Sequence, residues 1–282
     1  MSKLIQPFLP YFAMIEPAMP LTDIFLIRDR KKKKHLPTLD VRQEFNGYQL
    51  HWSARQAPTI GDQSVLYAAV ALAGMQKQIL DTDTSHTHGQ SLRAMLNLEG
   101  AITGQPVALV CGRWQDLAGA ATKGTQGGMS RKSLFDSLKR LAEITIWVKK
   151  DTEETSTRVL SFVYGNDKQF FIALNWRLTN AMLGNQFVRI SLEERRDLTT
   201  DCARALHARL SASLRPGAAQ RVGLDSLASH LWAGIPTPIA LRKRRFTLRA
   251  ALQELGELDH WDVSLDGAFS VVTRFSPDKK GE

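Results

Sequence analysis

LDSLASHLWAGIPTPIALRKRRFTLRAALQELGELDHWDVSLDGAFSVVTRF, residues 224–275, carries the fold in a single stretch. Residues 224–232 read as a short helix with Asp225 near its start, and Ala233-Gly234-Ile235-Pro236 breaks it. Thr237 then caps a second helix with Pro238 at its first position, where the missing N–H has no helical partner to lose. That helix runs to about Leu255. His260–Leu265 and Ala268–Phe275 alternate on either side of Asp266-Gly267, the signal of a tight hairpin. Helix, turn, helix, hairpin is the element order of a winged helix-turn-helix module.

At about 100° per residue, the second helix puts Leu241, Leu248, Ala251, Leu252 and Leu255 on one side. Arg242, Lys243, Phe246, Arg249 and Gln253 fall on the other, and Arg244 and Arg245 flank the apolar stripe. Five basic residues between Arg242 and Arg249 have no acidic residue among them. Like charges one turn apart repel by a few tenths of a kcal/mol per pair, and cations near a helix N-terminus oppose its dipole. A duplex phosphate backbone removes both penalties, and arginine can also read guanine by two parallel hydrogen bonds. The alternative is a solvated basic helix.

The same order is expected upstream. Leu39–Phe45 and Tyr48–Trp52 alternate around Asn46-Gly47, a hairpin. Gln63–Met75 is a helix with Asp62 as its cap, followed by a polar loop over Asp81–Gln90 and a short strand at Val107–Val110. Trp114–Ala121 and Ser130–Leu141 form a helix pair about the breaker Lys123–Gly128. In the second of these, Leu134, Leu138 and Leu141 are the buried stripe, with Arg131, Lys132 and Lys139 off it. A two-stranded wing is expected from Thr145–Lys150 and Arg158–Tyr164, joined by the acidic loop Asp151–Thr157. Lys149, Lys150 and Arg158 flank that wing and Arg274 ends the other. The second module opens with a strand at Gln186–Ile190 and a helix at Thr200–Leu214. Trp52, Trp147, Trp176 and Trp261 sit in or beside strands and are read as core.

Composition narrows the function. The chain has 282 residues, 37 Lys+Arg against 28 Asp+Glu, and a net charge of +9, which favours a polyanionic partner. Cys111 and Cys202 stand alone, so neither a zinc finger nor a disulfide framework is available, and a reducing cytosol suits them. Ile5–Ile27 is apolar but broken by Pro7, Pro10, Pro17 and Pro20, which excludes a spanning helix there. It reads as an irregular arm ending in the basic run Arg28–His35. No P-loop or HExxH motif is present, and Asp81–His88 reads as a solvated loop rather than a metal site.

Several stretches, taken in order, resemble the C-type replication initiators of IncQ-like broad-host-range plasmids. They include Val65–Gly74 (VLYAAVALAG), Ser133–Val148 (SLFDSLKRLAEITIWV), Val188–Leu192 (VRISL), Val222–Trp232 and Leu241–Trp261 with its LRKRR. The resemblance covers residues 37–275 and leaves the arm up to Leu36 poorly matched. It implies an origin-binding factor that recognises tandem direct repeats (iterons), helps open adjacent AT-rich DNA, and precedes loading of a plasmid-encoded helicase and primase. It also implies two winged-helix modules, with the C-terminal one making the main base contacts.

The expectation is therefore an α+β chain of two tandem winged helix-turn-helix domains behind a flexible basic arm. The boundaries are 1–37 for the arm, 38–184 for the first domain, 185–276 for the second, which recognises DNA, and 277–282 for a tail. DNA contact is assigned to Arg242, Lys243, Arg244, Arg245, Phe246 and Arg249, with support from Arg131, Lys132 and Lys139. Arg244 is placed nearer the phosphates. The partners are double-stranded origin repeats, helicase and primase, with a homodimer left open and no membrane. No catalytic residue, metal or cofactor is expected. A winged-helix transcriptional regulator and a strand-nicking initiator, for which Tyr11, Tyr48, Tyr67 and Tyr164 are the available nucleophiles, are the rival readings.

Overall fold

The structure, a computed structural model, describes residues 11–27, 36–83, 85–86, 88–98, 100–122, 129–164, 169–232 and 234–276. The first half runs β1 (Phe12–Ile15), α1 (Ala18–Leu21), the hairpin β2 (Leu39–Phe45) and β3 (Tyr48–Ala54), and the long α2 (Ile60–Gln76). It continues with β4 (Gln78–Leu80), α3 (Gly89–Met95), β5 (Val107–Arg113), α4 (Trp114–Ala121) and α5 (Arg131–Ala142). Then come β6 (Thr145–Lys150), β7 (Glu153–Arg158), β8 (Leu160–Tyr164), β9 (Gln169–Leu174) and α6 (Trp176–Met182). The second half is β10 (Val188–Ser191), α7 (Leu192–Asp197), α8 (Asp201–Ser213), β11 (Ala219–Gly223), α9 (Leu224–Leu231), α10 (Pro238–Gly256), β12 (Trp261–Asp266) and β13 (Phe269–Arg274).

These elements build a mixed α+β molecule with four antiparallel sheets among the described residues, ordered β1-β10, β2-β3-β6-β7, β4-β5-β9-β8 and β11-β13-β12. Two of the sheets repeat one arrangement. A strand leads into two helices, and the two strands that follow return so that the last one pairs with the first. In the second half this is β11, α9, α10, β12 and β13, and in the first half it is β5, α4, α5, β8 and β9, with β6 and β7 inserted after α5 and paired into the β2–β3 sheet instead.

Helix α2 lies at the centre. Val65, Leu66, Tyr67, Ala68, Ala69 and Val70 are all buried, so the helix is apolar around its circumference rather than along one stripe. It packs against α4, α5, α6, α8, β1 and β5, and one hydrophobic cluster runs through both halves of the chain. Local signals account for the helix starts. Thr59 caps α2 in a reciprocal box with Asp62, and Ser130, Thr200 and Thr237 each accept a backbone N–H at the starts of α5, α8 and α10. Asn46 (φ +51°) and Gly47 (φ +77°) give the β2–β3 hairpin the doubly left-handed turn that matches strand twist.

Several sequence expectations need correction. The stretch read as an irregular arm is folded over 11–27. There β1 pairs with β10, and Ala13, Ile15, Ala18, Met19, Ile24 and Phe25 are buried. The basic run Arg28–His35, the breaker Lys123–Gly128 and the tail 277–282 lie outside the described residues. Asp62 is not the cap of α2 but its third residue, completing the box from Thr59. The expected first wing does not pair as expected. Thr145–Lys150 pairs with β3 and β7, whereas Leu160–Tyr164 pairs with β9. Most of the acidic loop is a strand, from Glu153 on, with Lys149 opposite Glu154 and Lys150 opposite Glu153, cross-strand pairs that charge complementarity favours. Trp52 and Trp261 are core, but Trp147 is 41% exposed.

Candidate nucleic-acid interface

Helix α10 turns Leu248, Ala251, Leu252 and Leu255 into the core, as the wheel predicts, while Leu241 on the same side is only half-buried. Its cations divide into two groups. Arg245 forms a two-point ion pair with Asp225 in the first turn of α9, Nε to Oδ1 at 2.6 Å and Nη2 to Oδ2 at 2.5 Å. The hydrogen bond from Arg245 holds the Asp225 carboxyl below its ordinary range, and the same bond pushes the guanidinium up. Arg244 folds back over the turn between the helices, its Nη1 donating to the carbonyl of Gly234 at 3.3 Å. Its guanidinium also lies 5.8 Å from the Trp232 ring centroid. Arg249 donates from Nη2 to the carbonyl of Gly267 at 2.5 Å, tying α10 to the tip of the β12–β13 hairpin. These three arginines fasten α10 to α9, to the turn and to the β12–β13 hairpin.

Arg242 and Lys243 form the second group. Both are exposed, and with Ile239, Phe246 and Thr247 they line an open groove of about 580 Å³ on the outer face of α10. Phe246 is 76% exposed and Ile239 72%. The six residues assigned to this helix from the sequence thus separate into three outward-facing ones (Arg242, Lys243, Phe246) and three with scaffold contacts (Arg244, Arg245, Arg249). Ile239 was missed. Its signal was its place three and four residues ahead of Arg242 and Lys243, on the side away from the core stripe.

The corresponding helix of the first half, α5, buries Leu134, Leu138 and Leu141 and leaves Arg131, Lys132 and Lys139 exposed. Arg131 stacks over the Tyr164 ring at 4.5 Å, and the Lys139 ammonium sits 4.6 Å from the Phe135 ring. Arg140, next to them in sequence, turns inward instead. It makes a two-point pair with the buried Asp62, at 2.9 and 2.7 Å, that joins α5 to the start of α2. The cations beside the strands are also engaged. Lys150 lies 5.1 Å from the Tyr48 ring, and Arg158 donates to the carbonyl of Ala142 at 3.1 Å. Arg274 donates to the carbonyls of Ser211 and Leu214.

Among the described residues no cluster of His, Cys, Asp or Glu is arranged to hold a metal, and no helix is long and apolar enough to cross a membrane. Cys202 is buried, and burial, reinforced by Glu254 and Asp201, pushes its thiol up to about 12. Cys111 is half-buried and free.

No curated protein matches the chain. Among solved structures, a crystal structure of domains 2 and 3 of RctB (as its selenomethionine derivative) is similar with a TM-score of 0.58 at 12% identity, over 93% of this chain and 99% of that one. At that identity the likeness is one of fold. A family model, Replication protein C (RepC), matches residues 14–272, beginning inside β1 and so taking in residues that the sequence resemblance had left out. The chain therefore belongs to the replication protein C family.

Proposed function

We propose that this replication initiator binds tandem direct repeats at its origin through the outer face of α10, and that the bound array distorts the adjacent DNA so that helicase and primase can load. The observation that carries this is the division of labour on α10. Three arginines brace the helix, while Arg242 and Lys243 stand exposed on the face turned from the core. A helix held at its neighbouring helix, its turn and its hairpin, with two cations projecting, is preorganised for a groove. Little ordering entropy is left to lose on binding.

The element order α8, β11, α9, α10, β12, β13 with sheet order β11-β13-β12 supports reading residues 185–276 as a winged helix-turn-helix unit. The repeat of that arrangement around β5, β9 and β8 supports a second unit within 38–184. Here Arg131, Lys132 and Lys139 supply phosphate contact. The mechanism needs no catalytic group, metal or cofactor, because contact energy across several repeats offsets the cost of bending or untwisting DNA.

The test is binding by Arg242→Ala and Lys243→Ala to a duplex carrying the direct repeats that flank the gene. Each is expected to lose about 10–100-fold in affinity for the repeats, in keeping with about 1–3 kcal/mol per base contact. Affinity for a shuffled duplex should fall much less. Wild-type repeat affinity in both variants would refute the assignment.

A further inference from the structure

The outer face of α10 holds more apolar surface than phosphate contact requires. Ile239 and Phe246 are 72% and 76% exposed, and Ile235, in the turn ahead of the helix, is fully exposed. They are not the edge of the core stripe, which is Leu248, Ala251, Leu252 and Leu255. Arg242 and Lys243 lie three and four residues after Ile239 and four and three before Phe246, so the cationic pair is flanked by apolar side chains along one strip. No carboxylate lines that groove. The two acidic side chains nearest in sequence or contact are engaged elsewhere. Asp225 pairs with Arg245, and Glu254 accepts from Thr199 and Thr200.

Large apolar side chains left in water are unfavourable unless something covers them. A cover for this strip must present negative charge and small apolar groups within one helical turn of each other. A DNA major groove does so, because phosphates line it and each thymine projects a C5 methyl into it. Resting on the DNA-binding reading above, we propose that Ile239 and Phe246 read thymine methyl groups on either side of the base step approached by Arg242 and Lys243. The repeats are then defined by their thymines as well as by the bases that the cations contact.

The experiment uses the full chain and two duplexes of the repeats flanking the gene. One is natural and the other has every thymine replaced by deoxyuridine, which removes the methyls and leaves the hydrogen-bonding edges unchanged. Wild type, Ile239→Ala and Phe246→Ala are compared on both, with melting curves to check folding. Wild type should bind the uridine duplex more weakly, by about fourfold for each methyl contacted. Each variant should bind the natural duplex more weakly and lose its share of the uridine effect. Equal wild-type binding to both duplexes, with preference over a shuffled duplex retained, would overturn methyl reading and leave DNA recognition standing. Variants with full affinity and full sensitivity to uridine would also overturn it, and would mark the strip as a surface for a protein partner. Wild type with no preference over a shuffled duplex would overturn the DNA-binding reading, and this inference with it.

Discussion

Arg242 and Arg245 are three residues apart on one helix, yet they are expected to behave differently when mutated. Arg242 projects from the face of α10, so Arg242→Ala should remove repeat discrimination and leave the melting temperature unchanged. Arg245 is occupied by Asp225, so Arg245→Ala should lower affinity for repeats and shuffled duplexes alike, by loosening α9 against α10. Melting curves and binding to both duplexes check the pair. Loss of discrimination in Arg245→Ala with full discrimination in Arg242→Ala would invert the assignment. The basic character of this helix was legible in the sequence, and so was its buried stripe. Which cations were spent on scaffold was not, because a helical wheel gives direction but not neighbours. Asp225 lies on another helix, and Gly267 becomes a neighbour of Arg249 only once the hairpin folds back.

At the scale of elements, the pair between Asp62 and Arg140 does for α2 and α5 what Arg245 does for α9 and α10. Asp62 is buried, completes the capping box of α2 and accepts both branches of the Arg140 guanidinium. Arg140→Ala should strand that carboxylate and destabilise the protein by about 3 kcal/mol. Arg140→Lys should recover only part, since an ammonium cannot make the two-point contact. Chemical denaturation checks both, and a loss under about 1 kcal/mol for Arg140→Ala would show the pair to be dispensable. Elements whose cause is local were readable in advance. Ser130 and Thr237 announced α5 and α10, and Asn46-Gly47 announced the β2–β3 hairpin. Elements made by distant partners were not. Strand β1 exists because β10 pairs with it from the other half of the chain, and β7 carries no apolar alternation, being held by its ladder with β6. Trp147 reads as core from its place in a strand, but alternation along β6 turns it to the face opposite the buried Ile146 and Val148.

At the scale of the whole molecule, α7 ties the two halves together through adjacent residues. Arg195 is buried and donates to Ser64 and Gln63 on α2 and to the carbonyl of Arg204 on α8. Burial, outweighing the neighbouring Tyr67 and Asp201, pulls its guanidinium down to about 10. Glu194 accepts from His207 on α8 at 2.8 Å, from His260 at 2.8 Å and from Trp261 on β12 at 3.2 Å. Burial alone would raise the Glu194 carboxyl, but these hydrogen bonds overcome it and hold the group at about 2. Burial lowers His207, outweighing the raising effect of its hydrogen bond to Glu194. Both groups bind protons more weakly folded than unfolded, so each contributes stability at neutral pH and loses it on acidification. The His207 share fades as pH falls below 6.5, and the Glu194 share fades between 4.5 and about 2. Glu194→Gln should therefore be less stable than wild type at neutral pH, and the gap should narrow below about pH 4.5. Thermal unfolding across that range checks it, and a constant gap would contradict it. What this scaffold presents to DNA is tested most directly by salt-titrated binding of the full chain to direct repeats of the proposed origin, against a shuffled duplex of equal length. The prediction is a preference for the repeats that persists at physiological salt, together with a steep negative slope of affinity against salt. Equal affinity for the two duplexes across the titration would contradict it, leaving a basic protein that holds DNA without reading it.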